Sequence, residues 1–359
     1  MSTTPTPLSW QDPMRESAFT TWFTRLCAQH KLRASSLRAA SSDTSFRRYF
    51  RVDIEGGSAS LVIMDAPPAL EDCAGYVRMA RLLHDAGLHV PTILDWDEAN
   101  GFMLLSDLGP TTYLDRMRAD PQTTDSLCDQ ASESLVRLQG IPKPQWLPDY
   151  DVARIRMELS WFTQWYVSAY FGLPLEGRTG TVLEQASEAL ERCFLQQPQI
   201  MVHRDYHSRN LMVSDPNPGI LDFQGAVWGP AAYDLAGMLR DAYIEWDGSF
   251  QIAHAQAHWE RARAAGVPMP SSFKDFWRDF EWCGLQRQLK VLGLFARLTL
   301  RDGKHDYVAD MPRVWGYAVR TAQAYEELAP LADLLLRLDP ASRASAREIR
   351  TATASTGSR

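Results

Sequence analysis

Residues 201–213 read MVHRDYHSRNLMV, and residues 219–225 read GILDFQG. Asp205 and Asn210 lie five positions apart, too far for one strand face and too irregular for a helix, so both belong on a loop. The run NLMVSDPNPGILDF reads strand, turn, strand, and such a hairpin would return Asp222 beside Asn210. Two carboxylates and a carboxamide then converge at a loop mouth. Oxygen ligands without cysteine suit a hard cation such as Mg²⁺. The remaining Asp205 could orient an attacking hydroxyl and take its proton, which is the minimal equipment for phosphoryl transfer from ATP. A second reading takes His203, Asp205 and His207 as alternate residues of one strand face, a Zn²⁺ or Fe²⁺ site. It leaves Asn210 and Asp222 without a role.

The rest of the chain sets bounds on that chemistry. It has 359 residues, enough for two domains. Hydrophobic residues make up 45% and charged residues 23%, the balance of a soluble globular protein. A net charge of -7 argues against a general nucleic-acid binder. The five cysteines are scattered and form no CxxC pair, which points to reduced, intracellular thiols. Neither a signal peptide nor a membrane span is legible, so the expected location is cytoplasmic, without membrane or nucleic-acid partners. No GxxxxGK[ST] or GxGxxG occurs.

Periodicity predicts a helix over 15–30, strands over 46–54 and 59–65 around Gly56-Gly57, and a helix over 71–86. Two more strands flank Asn100-Gly101. Beyond Gly109 the chain turns helical, with segments predicted at 122–139, 151–171, 179–197, 232–245, 249–265, 272–301 and 313–337. The fold class expected is α+β, a small antiparallel sheet followed by a mostly helical part. Residues 1–12 read as a loose lead-in and 341–359 as a disordered tail.

The motif HRDYHSRN with LDF resembles the aminoglycoside phosphotransferase / choline kinase superfamily, which shares the two-lobed protein-kinase fold. The resemblance implies a nucleotide-binding lobe over 1–107 and a helical catalytic lobe over 108–340, with ATP between them. It also implies that Asp205 is the catalytic base, that Asn210 and Asp222 bind Mg²⁺, and that His203 buttresses the loop. Asp234, in AAYDLAGML, matches a family aspartate that braces the loop. SDTSFRRYFRV, LVIMDAPP, SDLG and LKVLGLFARLTLRDGK extend the likeness to the anomeric kinases of N-acetylmuramate and N-acetylglucosamine, a branch of bacterial cell-wall recycling. The substrate implied is a small amino sugar.

One departure stands out. The phosphate-gripping lysine of the kinase pattern would fall at Met64, and Lys31 is the only lysine before residue 143. An arginine must then carry the charge, and FRRYFRV offers Arg47 and Arg51 on one strand face and Arg48 on the other. Glu71 is a candidate partner. Ser42, Thr44, Ser45 and Phe46 form the candidate phosphate loop, with Arg48, Arg51 and the hinge residue Asp107 as further nucleotide contacts. The bland alternatives are an ordinary polar turn, a solvated strand face and a capping aspartate.

On the substrate side, Arg287, Lys290, Arg297 and Arg301 fall on one helical stripe. It is either a solvated cationic face or a row of cleft cations suited to an anionic sugar. His207, Arg240 and Tyr243 are pocket candidates by position. Trp161, Trp165, Trp228 and Trp246 are candidates for stacking on a pyranose or for core.

Overall fold

The computed structural model describes residues 10, 12–41 and 46–342. Ser42, Thr44, Ser45, most of the lead-in and the tail from 343 lie outside the described residues. In chain order the elements are α1 (Pro13–His30), β1 (Arg38–Ser41), β2 (Arg48–Asp53), β3 (Ser60–Asp65), α2 (Cys73–Asp85), β4 (Ile93–Asp97), β5 (Phe102–Ser106), α3 (Tyr113–Ala119), α4 (Thr124–Gln139), α5 (Val152–Trp161), a π-helical run Phe162–Tyr170, α6 (Arg178–Gln196), β6 (Gln199–Val202), β7 (Leu211–Met212), β8 (Gly219–Ile220), β9 (Val227–Pro230), α7 (Tyr233–Leu239), α8 (Gly248–Ala264), α9 (Phe273–Leu300), α10 (Met311–Ala324) and α11 (Ala329–Arg337). Two compact units result. One is Met1–Arg116 with Asn210–Gln224, the other Met117–Arg209 with Gly225–Arg359.

The first unit is built on an antiparallel sheet of order β1-β2-β3-β5-β4. Alternation puts Phe50 and Val52, Leu61 and Ile63, and Phe102 and Leu104 on one face. Helix α1 covers that face with Phe19, Trp22, Phe23 and Leu26, spaced three and four apart. Burying each such side chain contributes about 1.5–3 kcal/mol. Asp12 caps α1 by accepting from the Met14 N–H, and Pro13 fills its first turn. Buried Asp65 accepts from Arg15 and Arg48, tying the start of α1 to the end of β3.

The second unit is organised by α9, 28 residues long and buried along most of its length. Ser272 caps it by accepting from the Asp275 N–H. Gly293 lets α9 approach the Trp161–Phe162 peptide, where α5 passes into the π-helical run. In that run Phe162, Tyr166 and Tyr170 stack at ring separations of 5.4 and 5.9 Å. No helix among the described residues is long and apolar enough to cross a membrane.

Three local expectations needed correction. Strand β1 went unread, because RAAS has no apolar alternation. The helix expected over 232–245 stops at Leu239, where Arg240 leaves helical geometry (φ -120°, ψ 48°). The helix expected over 313–337 is two helices. Tyr325 is extended and Pro330 sits in the first turn of α11, the place where a proline is tolerated.

Candidate active site

Strand β6 pairs with β9 and delivers the chain into the loop 203–209. Arg204 stands at φ 80°, sparsely populated for a residue with a Cβ. Five hydrogen bonds hold this part of the loop. Asp234 accepts from the backbone N–H groups of His203 (2.6 Å) and Arg204 (2.9 Å). Arg287 donates to the Arg204 carbonyl. The Arg204 guanidinium donates to Glu158 and to the Gly225 carbonyl. A strained backbone persists only where its surroundings over-determine it, and this one is fixed at both its N–H and its carbonyl. Asp205 follows, half-buried, with its N–H donating to His203 Nδ1 at 3.2 Å. His203 and Asp234 are thus both placed against the loop backbone.

Below the loop lies a charge network that sequence reasoning missed. Glu158 of α5 is fully buried and gathers Arg204, Lys290 (3.5 Å), the Tyr150 hydroxyl and Gln286 Nε2 (3.0 Å). Burial would raise its carboxyl, but Lys290 and Arg204 bring it down to about 2. Asp205 behaves alike. Burial opposes its charge, and Lys290, Arg287 and Arg204 together hold it well below the usual carboxylate range. Asp205 is therefore ionised and acceptor-only at neutral pH. Burial pushes the Asp234 carboxyl up to about 7 despite its two N–H donors. Burial also lowers His207 against the pull of Asp241 and Asp205. Asp241, another residue the sequence reading passed over, accepts from the Ser208 and Tyr243 N–H groups and so ties the loop to the chain beyond α7.

The α9 stripe divides along its length. Arg287 and Lys290 are buried at the loop, whereas Arg297 stacks on Trp161 at 5.0 Å and Arg301 is exposed beside Asp302. Arg240 is not open to a ligand. It is buried against Glu281 (2.9 Å), Gln251 and Thr321, and lies over Phe280. No cluster of three His, Cys, Asp or Glu side chains among the described residues is arranged to hold a metal, so His203, Asp205 and His207 do not form the alternative zinc or iron site.

In the first unit, β7 and β8 form the expected hairpin, with Leu211 opposite Ile220. The Leu221 N–H donates to the Asn210 carbonyl, and Asn210 Nδ2 lies 3.5 Å from Asp222 Oδ2. Asp222 adopts φ 60°, and Gln224 Nε2 donates to its other oxygen. Phe223 is buried at once behind it, its ring 4.9 Å from Tyr76 of α2. The hairpin is tied to the sheet side by Ile220 N–H to the His89 carbonyl and Val213 N–H to the Thr111 carbonyl.

The strand arginines sort themselves by partner. Arg47 pairs with Glu71 at 2.8 Å, both side chains largely buried. Arg48 pairs with Asp65 and stacks over Trp10 at 4.1 Å. Arg51 forms a two-pronged pair with Asp107, which also accepts from the Ser60 hydroxyl and the Gly109 N–H. Burial opposes the Asp107 charge, but Arg51 and Ser60 lower its carboxyl below the ordinary value. Asp107 thus braces the strand end through its side chain. Phe46 is exposed. The arginine beside Glu71 is neither Arg48 nor Arg51.

The profile described as "Phosphotransferase enzyme family" matches residues 36–267. The N-acetylmuramate/N-acetylglucosamine kinase of Pseudomonas aeruginosa is 46% identical over 310 residues, covering 86% of this chain and 90% of that protein. The protein of the same name from Pseudomonas putida is 43% identical over 311 residues, covering 87% and 91%. Among solved structures, a choline kinase from Cryptosporidium parvum Iowa II superposes with a TM-score of 0.60 at 12% identity, covering 88% of this chain and 99% of that one. That likeness speaks to the fold alone.

Proposed function

The chain belongs to the phosphotransferase enzyme family, and on that premise we propose that it transfers the γ-phosphoryl group of ATP to the anomeric hydroxyl of N-acetylmuramate or N-acetylglucosamine. The product would be a sugar 1-phosphate, a salvage product of cell-wall amino sugars. The observation that carries the substrate class is the 46% identity to an N-acetylmuramate/N-acetylglucosamine kinase across nine-tenths of that protein.

The chemistry asked of the chain's residues is modest. Asp205, held ionised, would accept a hydrogen bond from the sugar hydroxyl, aim its oxygen and receive its proton as the bond to the γ-phosphorus forms and the bond from that phosphorus to the bridging oxygen breaks, releasing ADP. An anomeric hydroxyl is more acidic than an ordinary alcohol, so a strongly acidic carboxyl suffices, and most of the rate comes from positioning and electrostatics. Arg287 and Asp234 fix the Arg204 peptide on either side and thereby set where Asp205 points. The Arg47–Glu71 pair would stand in for the lysine–glutamate pair of kinases, with a guanidinium gripping phosphate oxygens. Asn210 and Asp222 are an all-oxygen, adjacent donor set, which fits Mg²⁺. They would hold the ion, whose charge neutralises phosphate oxygens when it is bound.

The test is a substrate panel with ATP and Mg²⁺, read by ³¹P NMR. It includes both sugars, glucosamine, choline and kanamycin, with Asp205→Asn as control. An anomeric phosphate that disappears in the control is expected. A phosphate on choline or kanamycin alone overturns the substrate and leaves the family intact.

A further inference from the structure

Arg209 lies in the same loop as Asp205, four residues on. It is exposed, yet it is held. Its guanidinium sits over the Tyr243 ring, 4.5 Å from the ring centre, with Tyr307 also close enough to act on its charge. Those tyrosines are part of an aromatic shelf. Tyr243 faces Phe295 at 6.3 Å, and Phe295 faces Tyr307 at 5.0 Å. Asp241 fixes the shelf to the loop by accepting from the N–H groups of both Ser208 and Tyr243.

The buried cations beside the loop are engaged elsewhere, and exposed Arg118 donates to the Tyr243 carbonyl. Arg204 and Lys290 face Glu158, Arg287 donates to the Arg204 carbonyl, and Arg240 faces Glu281. Among the described residues, Arg209 makes no ion pair with a carboxylate. Its partner is the face of the Tyr243 ring, which orients a guanidinium without neutralising it. A fixed, exposed, uncompensated guanidinium is suited to a carboxylate brought by a ligand. His207 ties this charge to the reaction centre. Its ring is 5.8 Å from Tyr243, and it feels the charges of both Asp205 and Arg209.

N-acetylmuramate differs from N-acetylglucosamine by one group, a lactyl ether on O3 that ends in a carboxylate. O3 lies two ring carbons from the anomeric carbon, so its substituent reaches a place apart from the reacting hydroxyl. We propose that Arg209, backed by Tyr243 and Tyr307, receives that lactyl carboxylate and so sets the preference for the acidic sugar over the neutral one. The inference rests on the amino-sugar kinase reading above.

The experiment measures kcat/KM for N-acetylmuramate, its lactyl methyl ester and N-acetylglucosamine, with wild type, Arg209→Met and Arg209→Lys. Wild type is expected to favour the acid over the ester by about 10- to 100-fold, the range of a charge-assisted hydrogen bond. Arg209→Met should bring acid and ester to near parity, with the fall carried mainly by KM for the acid. Arg209→Lys should keep part of the preference. A merely structural arginine would lower all three substrates together and leave the acid-to-ester ratio intact, and that result overturns the proposal. So does a wild type that treats acid and ester alike, a comparison that needs no variant to fold. Turnover of neither sugar by wild type overturns the kinase reading and this inference with it. Turnover of both with an unaltered ratio in Arg209→Met overturns the inference alone.

Discussion

Replacing Glu158 by glutamine keeps the side chain's shape and removes its charge. Two buried cations then lose their counter-ion, since Arg204 and Lys290 both face this carboxylate. The magnitude can be reached by two routes. The Glu158 carboxyl falls from an ordinary 4.5 to about 2, which at 1.36 kcal/mol per pKa unit is worth roughly 3 kcal/mol. Breaking a buried ion pair by deleting one partner typically costs about 3–5 kcal/mol. For a domain of this size, that lowers Tm by roughly 6–20 °C. The pH dependence has a definite sign. A carboxyl with a depressed folded value stabilises the fold above its unfolded value, and the stabilisation drains away as pH falls from about 4.5 toward about 2. The Tm of wild type should therefore converge on that of Glu158→Gln across that window. Scanning calorimetry at pH 7.5 and through the acid range measures both. Glu158→Gln/Lys290→Met should recover part of the loss, because one of the stranded charges is gone. A single variant within about 2 °C of wild type at pH 7.5 would refute the reasoning.

Arg47→Met and Glu71→Gln should each raise KM for ATP about tenfold or more. Their double variant should be no worse than the poorer single one, because the two act as a pair; strictly additive losses in steady-state kinetics would contradict this. Asp222→Asn should shift the Mg²⁺ activation curve to concentrations at least about tenfold higher at saturating ATP, by removal of the one charged oxygen donor of its set. An unshifted titration would exclude it as a metal ligand. Gly293→Ala should cost about 3 kcal/mol or more, or abolish soluble expression, because a Cβ there overlaps the Trp161–Phe162 peptide. A denaturation midpoint equal to wild type would show that the helices can part freely.

Much of this was legible before any coordinates, and the reasons differ by element. The hairpins of the first unit carry short apolar or alternating runs around glycine turns, so β2, β3, β4 and β5 are legible as strands. The loop 203–210 and the hairpin 211–220 follow from charge set between apolar flanks. Burial of cations was not legible. Arg287 and Lys290 look, as letters, like the outward row that Arg297 and Arg301 partly are. Only a carboxylate from α5 distinguishes the two ends of the stripe. A signal did exist. Glu158 falls on the apolar stripe of its own helix, with Ile155, Leu159 and Phe162, and an acid on such a stripe requires a buried partner. Which strand arginine meets Glu71 was equally hidden, because it depends on where α2 begins rather than on strand periodicity.

The hairpin 210–224 belongs to the first unit, although the chain reaches it only after residues 117–209 of the second. On the ribosome, Met1–Arg116 therefore emerges without its last piece. The backbone acceptors at His89 and Thr111, which the hairpin later occupies, face solvent until the stretch through Ile220 has been synthesised. Neither unit can be expressed as one uninterrupted fragment of the gene. A chain halted at residue 116 lacks Asn210 and Asp222 as well as the donors that cover those carbonyls. The first unit is therefore completed only after residues 117–209 of the second have been made, and never ahead of the loop that carries Asp205.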